Sequence, residues 1–313
     1  MGAFDIIGDV HGHADKLVQL LKKLCYKEVD GIWSHPNRTL ISIGDLVDRG
    51  PKQREVVNIL KAMEQAGHAK VLMGNHEFNA VSWYLKDKSG NNLRPHTTKN
   101  YDQHCEFLEQ ADVNSSWYIE TIEWFMSLPL LFETGQFCCA HAAWDDKNIA
   151  YLKAHLTTDF RLQQQQWVPA TTKSHPLYEA IEYCLKGPEL DLPSGHSFKD
   201  GGGHTRSKMR LKWWDLNSSS TYRTTAVSVP HPSQLPDEPL PAEVLSNARI
   251  LKPVFFGHYW MTGKPQLLSD KIACLDWSVV KDNGHLVAYR FDGESTLLES
   301  KLVSTQLISE VKK

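Results

Sequence analysis

The sequence predicts an α/β fold that opens with a βαβαβ unit, and three observations carry that prediction. Three short apolar runs each end in Gly followed by an oxygen-bearing side chain: Ala3–Ile7 before Gly8-Asp9, Thr39–Ile43 before Gly44-Asp45, and Lys70–Met73 before Gly74-Asn75. Runs of this kind are expected of strands buried on both faces. Between them, Leu17, Leu20, Leu21 and Leu24, and then Val56, Ile59, Leu60 and Met63, fall at helical spacing. Alternation of strand and helix implies right-handed crossovers and a parallel sheet. Ligands of such sheets bind beyond the carboxyl ends of the strands, which puts Asp9, Asp45 and Asn75 on one rim.

The remaining elements follow in chain order. Pro51 suits the first turn of the second helix and Gly67 its stop. Residues 86–115 are polar and rich in Lys and Asn, so a surface insertion is expected. Ser116–Leu128 has helical character and ends before Pro129, and a strand follows at Phe137–His141. Residues 151–248, with Gly201-Gly202-Gly203 and the Pro-spaced stretch Pro230–Pro241, are expected to form a loop-rich layer. Pro253–Gly257, Lys271–Trp277 and Leu286–Phe291 are expected as strands, joined by turns at Gly263 and Asp282-Asn283-Gly284. The whole chain, 1–313, is expected to be one domain with insertions at about 86–115 and 151–248.

Composition narrows the function classes. The chain has 313 residues, 41% apolar and 23% charged, in the range of globular proteins. Its net charge of -3 provides no basic field for a nucleic-acid polymer. A phosphate-handling site would need local Arg residues or bound metals. The N-terminus lacks the marks of a secretory signal, and no apolar run is long enough to span a membrane, so a cytoplasmic protein is expected. The six cysteines include no CxxC pair and are expected to be reduced core residues.

The chemistry-bearing residues fall in blocks: Asp9-Val10-His11-Gly12, Gly44-Asp45-Leu46-Val47-Asp48-Arg49-Gly50, Gly74-Asn75-His76-Glu77, His141, and Gly257-His258. For the second block alone, five fixed positions at ~6% each over ~300 start sites give ~10⁻⁴ chance matches. Together the blocks resemble the metallophosphoesterase superfamily, and in detail its phosphoprotein-phosphatase branch. That branch holds the Ser/Thr protein phosphatases and the bacterial symmetrical diadenosine tetraphosphatases. The resemblance implies a calcineurin-like four-layer α-β-β-α sandwich with two mixed sheets.

It also implies a dinuclear centre. Two divalent ions held ~3.5–4 Å apart share and acidify a water and neutralise phosphoryl oxygens. By resemblance Asp45 bridges them, Asp9 and His11 complete one set of ligands, and Asn75, His141 and His258 complete the other. Mixed carboxylate, imidazole and amide donors suit Mn²⁺, Fe or Zn better than Ca²⁺, with Mn²⁺ expected to support activity. His76 is placed to protonate the leaving oxygen, and Asp48 to orient it. Arg49 offers a planar fork to phosphate, and Arg206 or Arg210 is the expected second phosphate-binding Arg.

Where protein phosphatases often carry Gly-Gly after the histidine at this position, His141 is followed by Ala142-Ala143-Trp144, so Trp144 is expected to reshape the pocket. The remaining histidines, His13 and His104 among them, lack the strand-end glycine and are expected in surface or capping roles. Trp213-Trp214 is expected to pack in the core or a lid.

The expected function is therefore hydrolysis of a phosphate monoester by direct attack of metal-activated hydroxide. A symmetrical dinucleoside tetraphosphate hydrolase is the alternative, and a non-catalytic scaffold ranks third. The partner is a phosphorylated substrate, protein or nucleotide, with no membrane and no nucleic-acid polymer.

Overall fold

The computed structural model describes residues 2–200, 203–245 and 250–305. Its first quarter holds the expected βαβαβ unit: β1 (Ala3–Ile7), α1 (Ala14–Lys23), a hairpin of β2 (Lys27–Val29) and β3 (Ile32–Ser34), β4 (Arg38–Ser42), α2 (Gln53–Gln65) and β5 (Ala69–Val71). Gly67 stops α2 as expected. At φ +79 it lets its own N–H reach Glu64 O and that of His68 reach Met63 O, which satisfies the last carbonyls. Pro51 lies just before the helix rather than in its first turn, since α2 begins at Gln53.

The chain continues through α3 (Asn75–Tyr84), α4 (Thr98–Asp102), α5 (Cys105–Ala111), α6 (Ser116–Met126), β6 (Leu131–Glu133), β7 (Cys138–Ala140) and α7 (Asp146–His155). Next come α8 (Trp167–Thr171), α9 (Pro176–Lys186), β8 (Glu189–Asp191), β9 (Phe198–Lys199), β10 (Thr205–Arg206), β11 (Lys208–Leu211), α10 (Tyr222–Thr225), β12 (Ala226–Val227) and α11 (Ala242–Leu245). It ends with β13 (Val254–Phe256), β14 (Ile272–Cys274), β15 (Asp276–Trp277), β16 (His285–Phe291) and β17 (Leu302–Ser304).

Two mixed sheets stack face to face. The first runs β15-β16-β1-β4-β5, with β17 on β16; β1, β4 and β5 are parallel and β16 is antiparallel to β1. The second runs β14-β13-β7-β6, with only the β6–β7 pair antiparallel. Strand alternation sorts the side chains. Ile6, Ile41, Cys139, Phe255 and Tyr289 face inward, and the Phe137 ring packs on Phe291 at 4.6 Å between ring centres. Ile7, Leu40 and Val71 turn outward into a cluster with Leu17, Leu20 and Val56 of the helices. On the other sheet Cys138, Ala140 and Phe256 join a cluster with Ile149 and Ile181. The expected four layers result.

Three expectations need correction. Lys271–Trp277 is two strands, because the chain leaves the second sheet at Leu275 and enters the first at Asp276. Residues 151–248 hold far more order than a loop layer: α8 and α9, then a three-stranded sheet of β8, β11 and β12 with its own small core around Met209, Leu211 and Tyr222. Gly201, Gly202 and residues 246–248 lie outside the described residues. All six cysteines are free, but only Cys138, Cys139, Cys184 and Cys274 are core residues; Cys25 is exposed and Cys105 partly so. Among the described residues, no helix is long and apolar enough to cross a membrane.

Candidate metal centre

Five strand ends from the two sheets converge on one rim. Asp9 follows β1, Asp45 follows β4, Asn75 follows β5, His141 follows β7 and His258 follows β13, while His11 sits in the loop after Asp9. The loops are laced together: Asp45 O accepts the N–H groups of Val10 and His11, at 3.0 and 2.9 Å, and Gly257 N–H donates to His141 O at 2.8 Å. A Cβ at Gly257 would stand 2.0 Å from Asp9 Oδ1, so any larger residue there would displace the Asp9 carboxylate. His11, Asp45, Asp48, Arg49 and His258 all adopt positive φ, a conformation that costs of order 1–3 kcal/mol per residue. Such strain is retained where the surroundings over-determine it, and here it is gathered at one place.

Asp45 Oδ2 is the hub. It lies 3.3 Å from His141 Nε2, 3.6 Å from His11 Nε2 and 3.8 Å from His76 Nε2. Asn75 Oδ1 is 3.1 Å from His141 Nε2, and Asp9 Oδ2 accepts the His258 backbone N–H at 3.1 Å. Two groups of side chains, His11/Asp45/His76 and Asp45/His141/His258, each bring their ligand atoms within 4.8 Å of one another. Asp45 belongs to both groups. Asp9 belongs to neither group; its ordered contact is with the His258 backbone.

The donors suit cations. Nδ1 of His11 is bonded to Val47 O at 3.0 Å and Nδ1 of His141 to Ile43 O at 2.9 Å, which turns each Nε2 lone pair inward. Asp9 Oδ1, His11 Nε2 and His258 Nε2 are buried with no hydrogen-bond partner among the described residues. An orphaned buried polar atom costs about 1–3 kcal/mol, which coordination would offset. Burial, with His76 second, pushes the His11 imidazole down to about 3, and burial followed by Arg210 holds His258 well below its ordinary value. Both rings are thus neutral, the form that binds metal. His141 is instead raised to about 10, burial opposing and Asp45 prevailing, and would give up a proton to a bound cation. Burial and the neighbouring Asp276 carboxylate push Asp9 up, the signature of acidic groups packed where positive charge would stabilise them. These residues fit a pair of divalent ions.

His76 Nδ1 is held 2.5 Å from Asp48 Oδ2, a carboxylate where His11 and His141 meet backbone carbonyls. Burial works against its cation, but Asp45 and Asp48 outweigh that and raise its pKa. Asp48 is itself held well below the carboxylate range; burial opposes this, and His104 and His76 overcome it.

A cleft of about 570 Å³ opens over the rim. Six cations line it: Arg49, Arg94, Lys99, Lys173, Lys186 and Arg210. Arg49 lies on the Trp260 ring at 4.5 Å, so its N–H edges stay available. Arg206 lies elsewhere: it pairs with Asp200 at 2.7 Å on the β9–β10 hairpin and does not line the cleft. The expectation for Trp144 is also corrected. It is 6% exposed and packs in the core rather than in this cleft, because the turn after β7 is tied to α9 through Ala142 N–H to Cys184 O at 2.8 Å. Trp213 and Trp214 do pack, on Phe256 and Tyr259.

Sequence reasoning missed several residues. Glu77, fully buried, accepts the N–H groups of Asp45, Leu46 and Gly74 at 2.8, 2.8 and 2.9 Å and so pins the hub loop to α3. Burial, then Asp45, lifts its carboxyl to about 7. Its place beside Asn75-His76 was the available signal. Asp276 accepts the Trp260 N–H at 2.7 Å. His104, expected in a surface or capping role, is instead fully buried and bonds Asp48 Oδ1 at 2.8 Å. Residues 86–115 form a cleft wall through Leu93, Arg94, Pro95, Lys99, Asn100 and Gln103, not a remote insertion.

Comparison with known proteins agrees with this geometry. The chain is 35% identical over 144 residues to a bis(5′-nucleosyl)-tetraphosphatase PrpE [asymmetrical] of Bacillus velezensis, a match covering 45% of this chain and 56% of that protein. It thus spans little more than half of that relative's length. It is 26% identical over 306 residues to a bis(5′-nucleosyl)-tetraphosphatase, symmetrical, of Vibrio vulnificus, covering 95% of this chain and 98% of that one. A cold-active protein-tyrosine phosphatase of a psychrophilic Shewanella superposes with a TM-score of 0.50 at 16% identity, over 98% of this chain and 81% of the other, a likeness of fold alone. Residues 3–219 match the calcineurin-like phosphoesterase family, and the chain belongs to it.

Proposed function

We propose that the protein hydrolyses the phosphoanhydride chain of a dinucleoside tetraphosphate, splitting it symmetrically. The observation that carries this reading is the charge of the cleft: six cations line it, against the carboxylates of Asp45 and Glu182, in a chain of net charge -3. A phosphomonoester presents one phosphoryl group to such donors, whereas a tetraphosphate chain presents four. The two tetraphosphatase relatives support the same choice over the phosphomonoester expected first from sequence. Symmetrical cleavage is favoured because the relative so named matches along nearly its whole length.

Asp9, His11, Asp45, Asn75, His141 and His258 would hold two divalent ions, Mn²⁺ first among them. When bound, the ions supply Lewis-acid charge to phosphoryl oxygens and acidify water near neutral pH. Arg49 and Arg210 bind oxygens of the phosphoryl group under attack, and Arg94, Lys99 and Lys173 bind the phosphates beyond it. The bridging P–O bond breaks, and His76 Nε2 gives its proton to the departing oxygen while Asp48 holds the imidazolium. Water provides the new oxygen, so a tetraphosphate yields two nucleoside diphosphates.

The test is product analysis with Mn²⁺ present, comparing diadenosine tetraphosphate, phosphopeptides and p-nitrophenyl phosphate. Two equivalents of ADP, with kcat/KM above that for any phosphopeptide, is the expected result. Preference for phosphopeptides, or release of ATP plus AMP, would contradict the reading.

A further inference from the structure

We propose that His104 is a positioning residue for proton transfer, acting through Asp48 on His76; this rests on the hydrolytic reading above. The Asp48 carboxylate is shared between two imidazoles. Oδ2 is 2.5 Å from His76 Nδ1 and Oδ1 is 2.8 Å from His104 Nδ1. A carboxylate bonded on one oxygen can still swing about its Cβ–Cγ bond, whereas one bonded on both cannot. His104 therefore fixes the plane of Asp48, and with it the direction in which His76 Nε2 presents its proton.

His104 is itself held rigidly. Its ring is fully buried at the start of α5, packed against Phe107 at 5.1 Å and edge-on to Trp83 at 6.0 Å between ring centres. It stands at the N-cap position of α5, but its side chain makes no cap hydrogen bond. A histidine in an apolar niche with its Nδ1 spent on a buried carboxylate costs more than a leucine there would, unless the orientation of that carboxylate matters. Its place in the chain adds a consequence. The segment that carries His104 also lines the cleft through Arg94, Asn100 and Gln103, so the wall contacting substrate is mechanically joined to the proton donor.

Two variants separate positioning from bulk. His104→Leu keeps apolar volume and removes the hydrogen bond; His104→Gln keeps a donor. With Mn²⁺, kcat is compared for p-nitrophenyl phosphate, a good leaving group, and phenyl phosphate, a poor one. Proton assistance matters more for the more basic leaving oxygen. His104→Leu is expected to lose up to about 10²-fold in kcat on phenyl phosphate. It should lose far less on p-nitrophenyl phosphate, with KM unchanged, and His104→Gln should recover most of the loss. Equal fractional losses on both esters would overturn the proposal. Proton NMR of the metal-free wild-type protein provides an arm that needs neither turnover nor a variant. Strongly deshielded Nδ1–H signals are expected from both His76 and His104, assigned to their rings by 15N correlation, and absence of the His104 signal would overturn the proposal. If no phosphate compound were hydrolysed, the hydrolytic reading would fail, and the NMR pattern would still decide whether His104 holds Asp48.

Discussion

The two sides of the cleft are built by different means. On the rim, each candidate ligand leaves a buried strand within a few residues, and its direction is set by backbone: Gly257 against Asp9, positive φ at His11, Asp45 and His258, and the Glu77 carboxylate gripping three N–H groups. On the opposite wall, Arg94, Lys99, Lys173 and Arg210 reach in on flexible side chains from segments far apart in sequence. Their ordered partners are few: Arg94 bonds Gln103 at 2.8 Å, and Arg210 lies 3.7 Å from Glu189. A rim of fixed geometry suits a reaction whose atoms must be placed closely. A wall of long cations suits a charged chain that needs holding more than aligning.

This contrast can be broken by mutation. The largest effect is expected on the rim side: His76→Asn should retain its metals and lose roughly 10²–10⁴-fold in turnover, read with a poor leaving group. A near-normal rate would show that proton donation does not come from there. On the wall, Arg94→Ala and Arg210→Ala should each lower kcat/KM for diadenosine tetraphosphate by about 10–100-fold, the worth of one charge-assisted hydrogen bond. The loss on p-nitrophenyl phosphate should be smaller for Arg94, which stands for the distant phosphates. Equal losses on the two substrates would erase the distinction between rim and wall.

The smallest effect belongs to neither side. Asp292, held down to about 2 by Lys301 and Arg38, is half exposed. Its folded pKa lies below the unfolded value, so its contribution is present above about pH 4 and fades as pH falls toward 2. Melting temperatures of wild type and Asp292→Asn should therefore converge between pH 5 and pH 2. A gap that persists at pH 2 would show that the ion pair is not its source.

The same contrast explains what the sequence disclosed. Gly8-Asp9, Gly44-Asp45, Gly74-Asn75 and Gly257-His258 are local patterns, because close backbone approach demands the glycine beside the ligand; the rim was legible for that reason. Arg94, His104 and Lys173 carry no such neighbour. Their roles arise only when α5 packs on α2 and α9 on α7 and α8, and a buried His104 in a polar stretch reads as a surface residue until Trp83 and Phe107 close over it. The choice between Arg206 and Arg210 was open for the same reason. The two are four residues apart, and only the pairing of β11 with β8 and β12 turns one toward the cleft while the β9–β10 hairpin carries the other off. Leu275, where one expected strand divides between two sheets, left no mark in hydropathy.

The most direct measurement is the metal stoichiometry of wild type and Asp45→Asn by elemental analysis after Mn²⁺ loading and desalting. Two ions per wild-type chain are expected, with clear loss in the variant, since one carboxylate belongs to both ligand groups. One ion in the wild type, or two retained without Asp45, would contradict the dinuclear rim.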